Sequence, residues 1–153
     1  MKNIPDFNIA FMKEALKEAE KAQKAGEIPV GAVIVKNNKI IAKGCNKREK
    51  EQSSISHAEI NAIKKANKVL KNFRLTNCDI YVTLEPCPMC AGAIIESRIK
   101  NIYFGAYEPK EGAVESVIDL PSVYNKKSFK TQGFGGIMEK ECKALMQSFF
   151  KSK

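Results

Sequence analysis

The sequence predicts an α/β fold, namely a three-layer α/β/α sandwich with a central mixed sheet of about five strands. Apolar, β-branched runs alternate along the chain with segments whose apolar residues recur every three to four positions, which are the patterns of strands and amphipathic helices. The chain has 153 residues, which is enough for one core of ordinary size and short for two. We therefore expect a single domain over residues 1–153.

The first predicted elements are a helix and a β-hairpin. Asp6 is expected to cap the helix and Gly26 to end it. The apolar side of this helix carries Phe11, Ala15, Ala19 and Ala22. Residues 30–35 then predict a buried strand, and Asn37-Asn38 predicts a turn into a second strand at 39–42.

The rest of the chain continues the alternation, after a polar loop predicted at residues 45–54. Ser56 is expected to cap a helix over 57–70, and Pro86 to lie in the first turn of a third helix that ends near Ser97. The other predictions are strands at 80–84 and 102–104, a loop-rich segment at 106–136 with a short fifth strand, and a C-terminal helix with Met138, Cys142, Leu145 and Phe149 on one face. Cys142 is thus expected in the core.

The charge balance favours polyanionic partners. Lys and Arg number 26 against 17 Asp and Glu, a net charge of +9, and lysine contacts to phosphates release condensed counterions. A lysine-rich genome, a need for solubility or a membrane surface would produce the same excess. No apolar run approaches the ~20 residues of a membrane span, and no secretory signal precedes the first helix. We expect a cytoplasmic domain without a membrane partner.

The sequence also predicts one zinc ion per chain. Five cysteines, an odd number without a secretion signal, disfavour a disulfide framework. His57, the single histidine, opens one predicted helix, and Cys87 and Cys90 open the next. At a helix N-terminus this spacing puts both sulfurs on one face and favours the thiolate form. One nitrogen and two sulfurs suit zinc better than magnesium or calcium.

The three ligands leave a fourth tetrahedral position for water, whose pKa zinc lowers to about 7. Glu59, two residues after the histidine, is then placed to move protons between that water and a leaving group. The alternatives are a redox-active or structural Cys-x-x-Cys pair and a closed zinc site with Cys45 or Cys78 as fourth ligand. The catalytic site is favoured because a closed site leaves Glu59 without a role.

At these residues the sequence resembles the zinc-dependent cytidine and nucleobase deaminase superfamily, and within it the bacterial tRNA adenosine deaminases. The signature consists of His57-Ala58-Glu59 and Pro86-Cys87-Pro88-Met89-Cys90. The resemblance covers nearly the whole chain, with further matching segments at 28–33, 44–46, 83–94, 98–99 and 104–106.

The resemblance implies hydrolytic deamination of the wobble adenosine of a tRNA anticodon to inosine by a homodimer that contacts the tRNA with both subunits. Water activated at the zinc would attack C6 of the base, and Glu59 would protonate the ring and then the leaving amine. Asn46 matches a position that hydrogen-bonds the flipped nucleotide. Val30 is expected to line the base pocket or, equally, to belong to the strand core.

The resemblance also implies contacts to the RNA outside the base. Glu108 stands where the family usually has aspartate, near the nucleotide sugar or backbone, and its extra methylene alters that contact. Lys110 is expected to position a phosphate. Asn125 is either a substrate contact or a surface residue. Phe149 continues the apolar helix face, so its neighbour Phe150 is the candidate for stacking on an anticodon base.

Two other functions compete with RNA editing. One is deamination of a free base such as guanine with the same zinc site, and the other is a non-catalytic, zinc-stabilised RNA-binding module. The net charge of +9, the residues Leu84-Glu85-Pro86-Cys87 and the aromatic and lysine residues at the C-terminus favour RNA editing. A binding module predicts no role for Glu59 in any activity.

Overall fold

A five-stranded mixed sheet forms the middle layer of the protein, as predicted. The computed structural model describes residues 5–124 and 129–152. The strands are β1 (Gly31–Lys36), β2 (Lys39–Cys45), β3 (Cys78–Leu84), β4 (Asn101–Ala106) and β5 (Gln132–Phe134), in the spatial order β2-β1-β3-β4-β5. β1 pairs antiparallel with β2 and β3, whereas β3, β4 and β5 run parallel.

Helices cover both faces of the sheet and complete the three layers. In the described part of the chain they are α1 (Ile9–Lys24), α2 (Arg48–Glu51), α3 (Ala58–Leu70), α4 (Pro88–Glu96), α5 (Leu120–Val123) and α6 (Glu139–Lys151). α1 and α6 pack on one face, around Tyr81 and Tyr103, while α3 and α4 pack on the other, around Ile34 and Phe104. Among the described residues, no helix is both long and apolar enough to cross a membrane.

The pairing of β3 determines which ends of the strands meet. Leu84 at the end of β3 lies opposite Ala106 at the end of the parallel β4. Because β1 is antiparallel to β3, the first residue of β1 lies at the same edge, where the Gly31 N–H donates to the Thr83 hydroxyl at 3.2 Å. The chain segments that leave these strand ends therefore converge at one edge of the sheet.

The predicted hairpin and C-terminal helix are confirmed. Asn37 and Asn38 connect β1 to β2, and both adopt positive φ angles, 51° and 60°. Cys142 is buried in the core as expected. Phe149 is 4% exposed and Phe150 55% exposed, which places the two aromatic rings in different environments.

Two predicted helix caps are wrong. For α1 a different residue is the cap, and for α3 the predicted capping side chain bonds to a different partner. Asn8, not Asp6, caps α1, with its Oδ1 accepting from the Ala10 N–H at 2.9 Å. The Ser56 hydroxyl does not cap α3, because it donates to Glu51 Oε1 at 2.6 Å.

The start of α4 and the polar loop also differ from the predictions. α4 begins at Pro88, with Cys87 at the N-cap position, so Pro86 lies before the helix and not in its first turn. The predicted loop at 45–54 contains the one-turn helix α2. Cys78 is the first residue of β3 and is buried, so this strand begins two residues before the predicted range of 80–84.

Gly44 allows the beginning of α3 to lie directly against β2. A Cβ at this position would be 2.4 Å from the Ala58 carbonyl oxygen and 2.6 Å from the Ala62 nitrogen, both of which are backbone atoms. A Cβ at Gly92, in the middle of α4, would have no atom within 4 Å apart from its chain neighbours and the backbone of its own helix. The two glycines are therefore a matched pair, one required by packing and one not.

We expect Gly44→Ala to lower the free energy of unfolding by about 1–3 kcal/mol, because the backbone of α3 must shift to admit the methyl group. Gly92→Ala should instead raise it by up to about 1 kcal/mol, since alanine replaces glycine inside a helix. Chemical denaturation of the two variants measures both changes. Equal effects of the two substitutions would contradict the packing role of Gly44.

Candidate metal centre and active site

His57, Cys87 and Cys90 come together at the edge of the sheet where the strand ends converge. His57 Nδ1 lies 3.7 Å from Cys87 Sγ and 3.5 Å from Cys90 Sγ, and the three ligand atoms all lie within 4.8 Å of one another. Tetrahedral zinc, with bonds of about 2.0–2.1 Å to nitrogen and 2.3 Å to sulfur, separates these two atom types by about 3.5–3.6 Å. The donor set and its spacing therefore fit zinc.

Two helix N-termini hold these ligands. His57 is the N-cap residue of α3, Cys87 is the N-cap residue of α4, and Cys90 lies in the first turn of α4. The positive ends of both helix dipoles therefore point at the cluster and favour thiolate ligands. Among the described residues, neither Cys45 nor Cys78 belongs to this group. This arrangement does not support the closed site with a third cysteine.

Hydrogen bonding within the cluster separates the acidities of the two thiols. Hydrogen bonds from Cys90 and His57 lower the pKa of Cys87 to about 4. The hydrogen bond with Cys87, together with burial, raises the pKa of Cys90. The hydrogen bond with Cys87 also raises the pKa of His57. Binding of a divalent cation between these atoms displaces such protons, since zinc binds thiolate and neutral imidazole.

Glu59 lies in the first turn of α3, beside the cluster, and is 4% exposed. Burial raises the pKa of Glu59 to about 7, and the nearby Cys87 thiolate adds to this rise. The positive charge of a bound cation would act in the opposite direction. A carboxyl group that titrates near neutral pH can both accept and donate a proton, which suits it to acid–base chemistry.

A cavity of about 200 Å³ opens beside the cluster. His57, Cys87 and Glu59 are among the residues that line it. Four of the five residues that we predicted to contact substrate also line it, namely Val30, Asn46, Glu108 and Phe150. Lys110 does not line the cavity; it is exposed, and its backbone N–H donates to Glu108 Oε1 at 2.9 Å. Asn125 lies outside the described residues.

Asn46 has a structural role that the sequence did not indicate. Its Nδ2 donates to the Ile28 carbonyl at 3.2 Å, and its Oδ1 accepts from the Arg48 N–H at 3.1 Å. These bonds fix the orientation of the amide and hold the loop before α2. An amide side chain has two N–H donors and two acceptor lone pairs, so one of each remains for a ligand in the cavity.

The sequence analysis assigned no role in the site to Glu85, which also lines the cavity. Its carboxylate accepts hydrogen bonds from backbone N–H groups that lie between 23 and 31 residues further along the chain. No periodicity or local spacing in the sequence indicates such partners. Arg48 and Met146 are further cavity residues that the sequence analysis did not identify.

Comparison with known protein families supports the assignment of a zinc site. Residues 5–106 match the family described as the cytidine and deoxycytidylate deaminase zinc-binding region. The chain belongs to this family. The resemblance stated from the sequence is therefore confirmed, and zinc is the metal that the family binds.

Individual relatives show which deaminases this chain is similar to. The tRNA-specific adenosine deaminase of Bacillus subtilis (strain 168) is 46% identical over 143 residues, which cover 92% of this chain and 87% of that protein. A solved structure from work on A-to-I editing by tRNA:A34 deaminases at the wobble position of transfer RNA is 38% identical, with a TM-score of 0.84, and covers 90% of this chain and 99% of that chain. The guanine deaminase of Bacillus subtilis is 35% identical, with a TM-score of 0.63, over 80% of this chain and 87% of its own.

Cys90→Ser and His57→Ala should each reduce bound zinc from about one ion per chain to near zero, because three protein ligands hold it. Thermal stability should fall as well, since metal binding is coupled to folding. Elemental analysis of the purified variants measures the zinc content. Cys45→Ser is the matched control, because Cys45 lies outside the cluster, and it should keep the zinc. Full zinc content in Cys90→Ser would show that the ligand assignment is wrong.

Proposed function

We propose that this deaminase converts adenosine to inosine at the wobble position of a tRNA anticodon, with release of ammonia. The observation that carries the proposal is the buried Glu59 carboxyl beside the His57, Cys87 and Cys90 ligand atoms, with Glu59, His57 and Cys87 at the wall of one cavity. The 46% identical relative named as a tRNA-specific adenosine deaminase supports the choice of base and of RNA.

The proposed chemistry is a hydrolysis. His57, Cys87 and Cys90 would hold the zinc, which would lower the pKa of a water molecule to about 7. Glu59 takes a proton from the attacking water and delivers it to the purine ring, and a second proton transfer through Glu59 completes the leaving ammonia. A C–O bond forms at C6 and the C–N bond to the amine breaks, so adenosine and water give inosine and ammonia.

The remaining cavity residues are assigned to the nucleotide. Asn46 is proposed to hydrogen-bond the flipped base or its sugar with its free donor and acceptor, and Val30 to pack against the base. Glu108 is proposed to contact the nucleotide sugar or backbone. Phe150, exposed at the rim, is proposed to stack on a neighbouring base, and Lys110 to contact a phosphate outside the cavity.

The surroundings of the cavity favour RNA over a free base. A second groove shares Leu84, Glu108 and Phe150 with the cavity and adds Tyr107, Lys143 and Lys151 to its lining. Aromatic rings beside lysine side chains are the usual means of binding single-stranded RNA. A free base fills only the cavity and has no use for this groove.

The proposal also includes the assembly and the setting of the protein. We propose that the chain is a single domain, because one sheet carries both cores, and that it acts in the cytoplasm on tRNA. We further propose that it forms a homodimer. Support comes from exposed apolar side chains close together in sequence, Val117 at 58% exposure and Val123 at 72%, with Ile118 between them at 41%.

A second candidate is deamination of free guanine. The 35% identical guanine deaminase of Bacillus subtilis favours it, because it covers 80% of this chain. The two candidates share the zinc chemistry and differ in the substrate that reaches the cavity.

The substrate test uses two anticodon stem-loops that differ only at the wobble base, adenosine or guanosine, with free guanine as a third substrate. We expect inosine from the adenosine stem-loop and no ammonia from guanine, measured by nucleoside mass spectrometry and an ammonia assay. Ammonia from guanine without inosine from the stem-loop would replace the RNA proposal with the second candidate.

Glu59→Gln should lower kcat by about 10²–10⁴-fold, because the amide cannot transfer the proton, while the shape of the site is kept. Zinc content and thermal stability should remain close to those of the wild type. Single-turnover kinetics on the adenosine stem-loop, with zinc measured in the same samples, test this expectation. Full turnover in Glu59→Gln would remove Glu59 from the mechanism.

Replacing Val117 and Val123 together by lysine should convert the dimer to a monomer, since two charges would be placed in an apolar interface. Sedimentation velocity at micromolar concentration measures the change. Lysine at the exposed Val69, on α3, is the control and should leave the assembly intact. A monomeric wild-type protein would contradict the homodimer.

A further inference from the structure

The Glu85 carboxylate is buried and accepts five hydrogen bonds. Glu85 follows the last residue of β3, lies two positions before Cys87, and is 2% exposed. Its Oε1 accepts from the Glu108 N–H at 3.1 Å, and the Ser116 hydroxyl donates to the same oxygen. Its Oε2 accepts from three successive backbone N–H groups, those of Val114 at 3.2 Å, Glu115 at 2.7 Å and Ser116 at 2.8 Å.

These partners all belong to one segment, residues 108–116, which we call the Glu85 turn. All five donors are neutral groups, so the carboxylate is stabilised by dipoles and not by a cation. Burying a carboxylate without such partners costs free energy, and leaving the buried N–H groups without an acceptor costs free energy as well. The conformation of the turn and the ionised carboxylate therefore depend on each other.

The turn closes tightly around the carboxylate. Gly112 donates from its N–H to the Glu108 carbonyl at 2.8 Å, and a Cβ at Gly112 would be 2.4 Å from Glu85 Cδ. Two backbone hydrogen bonds hold this part of the chain beside the site: the Glu85 N–H donates to the carbonyl of Ala106, two residues before the turn, at 2.9 Å, and the N–H of Ala113, within the turn, donates to the Pro86 carbonyl at 2.8 Å. These bonds fix the position of the turn relative to Glu85 and Pro86, the two residues that precede Cys87.

The Glu85 turn forms one wall of the cavity. Glu108 and Glu111 lie on this turn and line the cavity, whereas Glu59 and the metal ligands come from α3, α4 and the residues that cap them. The carboxylate of Glu85 therefore holds one wall of the cavity and is not part of the metal-binding group.

We propose that Glu85 is a positioning residue for the substrate, which fixes the Glu85 turn so that Glu108 meets the nucleotide in the cavity. This inference rests on the proposed function, since Glu108 is assigned there to the nucleotide. Glu85 acts through Glu108 and not on the reacting atoms. Its loss should therefore weaken substrate binding more than it slows the chemical step.

The kinetic test compares Glu85→Gln, Glu108→Gln and the double variant on the adenosine stem-loop. Glu85→Gln places an NH₂ group against N–H donors and should raise KM about tenfold, the equivalent of one lost hydrogen bond, while kcat stays within about threefold of wild type. The double variant should be no worse than the more affected single variant, because both changes disturb one contact. Zinc content should be unchanged in all three.

Glu27→Gln is the matched control. Glu27 is also a buried carboxylate that accepts from backbone N–H groups, those of Glu49 at 3.0 Å and Lys50 at 2.8 Å, but it holds α2 and not the Glu85 turn. Its effect should add to that of Glu108→Gln. A purely structural role of Glu85 would lower the active fraction at constant KM and would also be additive with Glu108→Gln, and either result would overturn the proposal.

Ser116→Ala keeps the carboxylate and removes one donor, so this variant replaces Glu85→Gln in the test if Glu85→Gln does not fold. It should raise KM about two- to fivefold and should also be non-additive with Glu108→Gln. An unchanged KM in Ser116→Ala would count against the proposal.

Amide hydrogen exchange separates this proposal from the proposed function. In Glu85→Gln or Ser116→Ala, the amides of residues 108 and 114–116 should exchange at least about tenfold faster than in the wild type, while those of α3 and α4 keep their protection. If the wild type makes no inosine but this exchange pattern appears, the RNA substrate is wrong and the anchoring of the turn stands. Unchanged exchange at residues 114–116 would overturn the anchoring itself.

Discussion

The site depends on the convergence of two helix N-termini at one edge of the sheet. Parallel pairing of β3 with β4 and antiparallel pairing of β1 with β3 bring the beginning of one strand and the ends of two others together. α3 and α4 therefore start side by side, with His57 and Cys87 as their N-cap residues. The N-to-S separations of 3.5 and 3.7 Å follow from this packing, and Gly44 allows α3 to approach closely enough.

Two buried carboxyl groups within this site have pKa values shifted in opposite directions. Burial raises the pKa of Glu59 to about 7, and the positive charge of a bound cation would act against this rise. Burial also acts to raise the pKa of Glu85, but hydrogen bonds from Ser116, Glu115 and Glu108 lower it below its usual value. Glu85 therefore stays ionised and holds backbone, whereas Glu59 is free to move protons. The difference lies in the number of N–H and O–H donors that each carboxyl group meets.

The sequence predicted those features that depend on short spacings. The ligands were found because Cys87 and Cys90 stand three apart at a helix start, and the hairpin because Asn37 and Asn38 tolerate positive φ. The role of Glu85 was missed because its partners are backbone groups distant in the chain. α2 was missed because a helix of four residues has no periodicity, and its N–H groups are held by Glu27 from another part of the fold. The placement of Glu108 on the cavity wall came from the resemblance alone.

We propose that three protein ligands hold the zinc and leave its fourth position to the reaction. X-ray absorption spectroscopy at the zinc edge tests this claim most directly, because sulfur and nitrogen or oxygen neighbours are distinguished by distance and scattering. We expect two sulfur neighbours at about 2.3 Å and two lighter neighbours at about 2.0–2.1 Å, one from His57 and one from water. A shell of three or four sulfurs would mean a closed structural site and would contradict the proposed catalysis.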